Sequence, residues 1–487
     1  MNHTVIYGIG SAIQSLINFA FLPLFTKFLT TEEFGIYSLV LLIGTFAGAF
    51  FFFGASSALS RFYFDDDTIQ YKKNAIATAF NITIFGVICQ IVLGFVFATQ
   101  LSILLTNKPI YSRHIILMFV ASSLGIIQNL LLLILRLEKK SRSFILATIS
   151  GASISLLVIV YFLAYKNQGI YAPILGLLSG NAVTILFCLL FVTSKLHFSI
   201  NISAFKTYIA FGIPTVLNGL AYYLLDWLDR FMIKAFGSLS DVGIYSMGYK
   251  IGMVIYILFI TPFAMIWSTM RMQYAKQSNY DQMTTKVVSY FTLVGITITL
   301  LLSLFAKEIL ILFSGNNAYL VSYKVVPWVM MACLINGYGN ILDYGIYREK
   351  KIHYYYIILI VSCVINAILN YLFIPKLGYI AAAYATFITY LFYIIVLYIV
   401  SNKYYNIKVE WARVLSLYVF AFGLLFLAST FPFNDFICFI LKIILFISAI
   451  IVTFLRWLTA QERKLVFDTL NKMKGKLFTN KIYKSAE

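Results

Sequence analysis

Lys250 carries the most pointed chemistry in this sequence. It lies nine residues into the apolar run 242–270, about 13 Å deep at about 1.5 Å per helical residue. A charge at a bilayer centre costs about 2.5–3.5 kcal/mol even on the mildest scale, so its ammonium is expected to face a hydrophilic cavity and to be able to hold an anion. The plainer readings are snorkelling to the interface or pairing with Asp226. Asp226 sits near the end of the run 207–228, with Asn218 in the same run at a depth similar to Lys250. A carboxylate there can serve as counter-ion to Lys250, as a cation-coupling acid, or as an interfacial cap. Asn336, Asn340, Asp343, Tyr344 and Tyr347 recur at spacings of three and four, which places them on one helical face. Ser11, Gln14, Ser15 and Asn18 share a face of the first apolar run, and Gln128 and Asn129 occupy an earlier run. Such amides can bind a hydroxylated ligand, or bond helix to helix at about 1 kcal/mol each. The rings of Tyr222, Tyr223 and Tyr249 can stack on a ligand, although most of the 35 tyrosines and 45 phenylalanines are expected to face lipid or its interfaces.

Other charged residues suggest plainer roles. Asp229 and Arg230 read as interfacial structure. Arg61, Arg136, Arg271 and Arg348 each end an apolar run on one side. They are expected to set topology and touch lipid, or to form a basic rim that gathers an anionic headgroup. The five cysteines are scattered through or beside apolar runs without metal-ligand spacing, and His3, His114, His197 and His353 fall near run ends. Neither a nucleophile triad nor a phosphate loop is visible, so neither a cofactor nor catalysis is expected.

The elements that must position these groups are membrane helices. Of 487 residues, 61% are hydrophobic and 11% charged, against about 25% charged in soluble domains. Runs near the length of one bilayer crossing fall at 5–26, 34–59, 75–100, 112–135, 143–165, 170–194, 207–228, 242–270, 285–306, 325–347, 353–374, 379–401, 412–431 and 434–456. All are expected to be helices, because lipid tolerates no unpaired backbone and no alternating barrel pattern appears. The first run lacks a basic leader and reads as a retained helix. Of the 37 lysines and arginines, 26 lie in or beside the loops after even-numbered runs or in the tail, and nine after odd-numbered runs. That bias places both termini in the cytoplasm. It also explains the net charge of +19 by topology and anionic lipid rather than by nucleic acid.

The sequence repeats itself. Glu33-Phe34-Gly35-Ile36-Tyr37-Ser38 corresponds to Asp241-Val242-Gly243-Ile244-Tyr245-Ser246, Arg61 to Arg271, Glu138-Lys139-Lys140 to Glu349-Lys350-Lys351, and Gly169 to Gly378, all at offsets of 208 to 211. The repeating unit holds six runs, an even number, so both copies enter the membrane alike and form a parallel repeat. The expected architecture is all-α with about 14 transmembrane helices: one lobe over 1–205, a second over 206–403 enclosing a central cavity with it, a helix pair over 404–460, and a basic, partly amphipathic tail over 461–487 on the inner leaflet.

Several stretches also carry a family resemblance across the whole chain: Leu22-Pro23-Leu24-Phe25-Thr26-Lys27 leading into Glu33–Ser38, then Ser60-Arg61-Phe62-Tyr63, Leu228-Asp229-Arg230-Phe231 leading into Asp241–Tyr245, and Asn370-Tyr371 through Ile374-Pro375 to Gly378 and Ala381-Ala382-Ala383-Tyr384-Ala385-Thr386. Ala381 replaces the glycine usual there. The chain resembles the Wzx-type polysaccharide flippases of the multidrug/oligosaccharidyl-lipid/polysaccharide exporter superfamily. The resemblance implies a transporter of the bacterial cytoplasmic membrane that moves undecaprenyl-pyrophosphate-linked oligosaccharide, such as O-antigen units, from inner to outer leaflet, in contact with membrane lipids and with polymerase and chain-length partners. On that reading Lys250 would hold the pyrophosphate, with Asp226 as its counter-ion. Arg61 would gather the lipid head, and Asn218, Gln14, Asn18, Asn336, Asn340, Asp343 and Tyr249 would meet sugar. The rival readings are a cation-coupled multidrug exporter, which typically carries deep acids that the first run lacks, and a lipid II flippase, which usually carries more basic residues there. A polymerase or ligase needs a large outer loop for glycosyl chemistry, and none is present.

Overall fold

The computed structural model describes residues 17, 20–193, 202–275, 277, 280–313, 315–430 and 435–464. All regular structure among them is helical. Residues 20–28 are helical and lead to α1 (Thr31–Phe51) and α2 (Ala55–Phe62). Next come α3 (Ile69–Thr106), α4 (Ser112–Leu137), α5 (Ser141–Val160) and α6 (Tyr171–Val192). The second copy contains α7 (Ile202–Phe236), α8 (Leu239–Gly252), α9 (Thr261–Tyr274), α10 (Tyr280–Leu304) and α11 (Ala306–Phe313). It continues with α12 (Val326–Gly337), α13 (Gly339–Leu342), α14 (Tyr344–Arg348), α15 (His353–Leu377) and α16 (Ile380–Asn402). The chain closes with α17 (Trp411–Ser429) and α18 (Asp435–Trp457).

Eleven helices among the described residues are long and apolar enough to cross a bilayer, and counting the pair Asn317–Lys324 and Val326–Arg348, bent by 44°, as one span brings the number to twelve. The chain is an all-α, multi-pass membrane protein. Two expected runs are missing from that count for separate reasons. The run 5–26 falls mostly outside the described residues. The run 207–228 lies within the 35-residue α7, where the stretch Ile202–Leu217 is a shorter apolar helix; the side chains at 218, 221, 222 and 226 lie outside the described residues. Large apolar side chains such as Leu190, Phe95 and Val419 are exposed, as lipid-facing residues must be, since hydrocarbon does not penalise them.

Local sequence fixes the helix ends, and it does so twice. Thr30 caps α1 by accepting from the Glu33 amide while the Glu33 carboxylate accepts from the Thr30 amide. Ser238 and Asp241 build the same reciprocal box on α8. Lys139 and Lys350, related by the repeat, both adopt left-handed backbone at φ 57° and 55°. In each case the next lysine's amide donates back to a carbonyl five residues earlier, Lys140 to Leu135 and Lys351 to Ile346.

The chain divides into two compact units. One contains 1–272 and 307–406, and the other 273–306 and 407–487. In the second, α10 packs against α17 and α18, Phe305 meets Phe439 edge-on at 5.7 Å, and Glu462 accepts from both Tyr290 and Arg413. The groups singled out above that are described all lie in the first unit.

Candidate functional site

The first unit is centred on a seam between α1 and α8, helices that occupy equivalent places in the two repeats. Gly35 faces Gly243. A Cβ on Gly35 would lie 2.0 Å from the Leu239 carbonyl oxygen, and a Cβ on Gly243 would lie 1.9 Å from that of Thr31. Thr31 and Leu239 are themselves related by the 208 offset, so the contact is reciprocal, as across a two-fold axis. Small residues permit this close backbone approach, the usual device where lipid offers no hydrophobic drive between helices. The Thr31 and Ser240 hydroxyls share a hydrogen bond of 2.6 Å beside the crossing. Nearby, the Tyr319 hydroxyl donates to the Thr30 carbonyl at 2.8 Å, and Thr26 donates to that of Phe313 at 2.9 Å.

Lys250 belongs to this seam. Its Nζ lies 4.9 Å from the ring centre of Phe34, 5.3 Å from that of Phe25 and 5.5 Å from that of Tyr37. Those three rings come from the first repeat and lie 5.6–6.2 Å from one another. The sequence reading turned this ammonium toward a cavity and a pyrophosphate. In the structure the half-buried Lys250 stands against these three aromatic faces, whose quadrupoles attract the cation. The run of apolar residues revealed Lys250 as anomalous, but Phe25, Phe34 and Tyr37 lie more than 200 positions away. Replacing Lys250 by Met keeps most of the stem packing and removes only the cation. A desolvated cation–π contact is worth up to about 2 kcal/mol, so the K250M variant is expected to shift the equilibrium across this seam by up to about thirtyfold, readable by cross-linking cysteines placed at positions 31 and 240.

Asp229 and Arg230 are not interfacial. They are 1% and 5% exposed, because α7 runs on to Phe236 and carries both into the packing. The Asp229 carboxylate accepts from Tyr245 and Thr386 at 2.6 Å each and from Asn370 at 2.7 Å. Asn370 also donates to Asn366 at 3.0 Å. Arg230 Nε donates to Ser246 at 3.0 Å, and its guanidinium lies 4.6 Å from the Tyr249 ring centre. A space of about 10 Å³, on the scale of one water, adjoins Asp229 and is bounded by Asn366, Thr386 and Thr389. Its donors are all oxygen, the set that suits a hard cation; among the described residues no cluster of histidine, cysteine, aspartate and glutamate could hold a metal.

A cavity of about 430 Å³ lies within the second repeat. Four of the residues chosen from sequence line it together: Tyr249, Asn336, Asn340 and Asp343. The helical spacing made three of them legible as one face. Tyrosines 223, 256, 355, 390 and 393 add phenol to the same wall, so the tyrosines are not mainly a lipid-facing belt here. Asp343 Oδ1 accepts from Arg271 at 2.5 Å and Oδ2 from Tyr355 at 2.5 Å. Arg271 also lies 4.6 Å from the Tyr347 ring centre. Asn336 donates to the Tyr256 hydroxyl at 2.5 Å. Arg61 is elsewhere, at the surface, paired with Asp65 at 2.7 Å. Gln14 and Asn18 lie outside the described residues, as do the side chains of Asn218 and Asp226.

Residues 2–267 match the family described as polysaccharide biosynthesis protein. The chain belongs to that family. It is 26% identical over 270 residues to protein 1 of the Lsg locus of Haemophilus influenzae (strain ATCC 51907 / DSM 11121 / KW20 / Rd), a match over 52% of this chain and 61% of the relative. The chain thus spans under two thirds of the length of that relative. Its fold is that of the lipid II flippase MurJ in an inward closed conformation, with a TM-score of 0.72 at 16% identity over 93% of this chain and 99% of the other. An inward-facing multidrug resistance MATE family transporter of the MOP superfamily gives 0.65 at 14% identity, over 86% of this chain and 99% of the other. An outward-facing one gives 0.55 at 17% identity, over 85% and 94%.

Proposed function

We propose that this family member is a flippase that carries undecaprenyl-pyrophosphate-linked oligosaccharide from the inner to the outer leaflet of the bacterial cytoplasmic membrane, by alternating access between lobes 1–205 and 206–403, with both termini cytoplasmic. The reciprocal Gly35–Gly243 crossing carries the proposal. Two repeat-related halves meeting through small residues can rock about the crossing and open to either leaflet, the behaviour of two-lobed transporters. Membership in a polysaccharide biosynthesis family supports a glycan-bearing cargo. The cargo needs such a passage, because each sugar hydroxyl moved unpaired into hydrocarbon costs about 4–8 kcal/mol. Membrane lipids are the medium, and the polymerase and chain-length proteins of the pathway are the proposed partners.

The test is reconstitution in liposomes with lipid-linked oligosaccharide in one leaflet, read by a membrane-impermeant glycosidase. Protein-dependent exposure of the glycan supports the proposal; exposure no faster than in empty liposomes removes it. Resistance to cationic drugs in expressing cells would favour the multidrug reading, and equal transfer of lipid II the other rival.

The anionic cargo leaves a compartment that is negative inside. Each charge moved across 100 mV is worth about 2.3 kcal/mol, so outward flux is expected to fall several-fold when the potential is clamped at zero. An unchanged rate would remove potential as the driver. Ion coupling is the second route, and Asp229 rather than Asp226 is its candidate, because Asp229 is a buried carboxylate beside a water-sized space.

A further inference from the structure

The 430 Å³ cavity is walled by residues of the second repeat, and the sequence pattern shows how that repeat differs from the first there. Two helices that wall it are locally irregular beside it. α8 continues beyond Gly252 through a wide π turn at Tyr256–Ile260. The other crossing, Val326–Arg348, has single-residue irregularities at Tyr338 and Asp343 between α12, α13 and α14, while the Leu342, Asp343 and Tyr347 amides still donate to the carbonyls four residues earlier. The counterpart of that crossing in the first repeat, α4, runs unbroken from Ser112 to Leu137. At the 211 offset Asp343 becomes Leu132 and Asn336 becomes Gly125. Arg271, drawn inward to Asp343, has as its counterpart Arg61 on the surface. The first repeat thus keeps the fold with a regular helix and no charge at the counterparts of Asn336 and Asp343. Irregular backbone at membrane depth is tolerated where it lines a cavity.

The wall chemistry specifies the ligand. Asp343 contributes the only formal charge among the lining residues described, and Arg271 neutralises it from behind. The rest of the polar surface is phenol and amide. Phenol rings offer flat apolar faces with a polar edge, and Asn336 and Asn340 offer paired donors and acceptors. That combination matches a sugar ring, which has an apolar face and a rim of hydroxyls. A volume of about 430 Å³ falls within the range of about 300–1,000 Å³ for small-molecule sites.

We infer that this cavity binds an uncharged sugar residue of the cargo, a hexose or N-acetylhexosamine, and rejects uronic acids. A ligand carboxylate would stand beside Asp343 with Arg271 already engaged, and an unpaired buried carboxylate is strongly disfavoured. The inference rests on the flippase reading for its cargo and names the part of the cargo this pocket reads. Recognition of the glycan is thereby separated from whatever group holds the pyrophosphate.

The test is saturation-transfer NMR on the full-length, detergent-solubilised protein with three probes: the methyl glycosides of N-acetylglucosamine and galactose, and free glucuronic acid. Saturation should reach at least one neutral sugar and not glucuronate. Asn336→Ala and Tyr256→Phe should each weaken the neutral signal by about tenfold, the loss of one good hydrogen bond to a buried polar group. Tyr256→Phe keeps the ring, so it guards against misfolding of the asparagine variant. Equal transfer to glucuronate, no transfer to either neutral sugar, or unchanged signals in both variants would overturn the inference. The liposome assay reads separately. Sugar binding without translocation keeps the pocket and removes the flippase reading, whereas translocation without sugar binding removes the pocket alone.

Discussion

Leucine in place of Gly243 is expected to abolish translocation and to destabilise the protein by about 1–3 kcal/mol, the usual cost of forcing atoms into a packed site. The obstruction is backbone against backbone. The first added carbon would sit 1.9 Å from the Thr31 carbonyl oxygen and 3.1 Å from the Gly35 nitrogen, and no rotamer can move it away. α1 and α8 must separate, and the Thr31–Ser240 hydrogen bond goes with them. Gly35→Leu should have the same effect, since its Cβ meets the Leu239 carbonyl oxygen. Both substitutions break one crossing, so the double variant should be far from additive. Gly423→Ala is the control, because a Cβ there meets nothing described within 4 Å; it should change stability by less than about 0.5 kcal/mol. Thermal unfolding in detergent and the liposome assay check all four variants. Full transport by Gly243→Leu would show that the halves do not work against each other at this crossing.

Removal of the Asp229 carboxylate should be the most damaging polar change. Asp229→Ala would strand the donors of Tyr245, Thr386 and Asn370 and leave Arg230 buried without the neighbouring negative charge. Truncation of one member of a buried charged network typically costs about 3–5 kcal/mol, so a sharp drop in folded yield is expected. Asp229→Asn separates charge from shape. The amide keeps one acceptor oxygen and should recover much of the folded protein. If the residue couples an ion to the cycle, this variant should fold and yet lose dependence of transport on a sodium or proton gradient. A folded Asn variant with an unaltered gradient response would assign Asp229 to structure alone.

Part of the site was legible from spacing. Asn336, Asn340 and Asp343 share a face because helical periodicity is a property of the chain, and the structure turns that face into the cavity. Lys250 was legible as an anomaly, since a cation inside an apolar run demands an explanation. Its surroundings were not legible, because Phe25, Phe34 and Tyr37 look like any other aromatics in a chain with 45 phenylalanines. Asp229 and Arg230 were misplaced for a local reason. Charges that follow an apolar run normally mark its end, and here α7 continues to Phe236 because partners from α8, α15 and α16 satisfy them. Arg61 and Arg271 match in sequence and differ in place, since Asp343 engages Arg271 beside the cavity whereas Asp65 engages Arg61 at the surface.

By itself the sequence determined that the chain is helical and crosses a membrane many times, that its two halves repeat, and roughly where most of the apolar helices lie. These features depend on hydropathy and on capping groups a few residues apart, interactions that local spacing encodes. The tertiary structure decided which groups are engaged and which are open to a ligand. It placed Lys250 against three aromatic faces, Asp229 in a closed network, and Tyr249, Asn336, Asn340 and Asp343 around one cavity. Those outcomes depend on contacts between residues up to 225 positions apart, and in a medium where apolar side chains predominate, packing geometry selects among them.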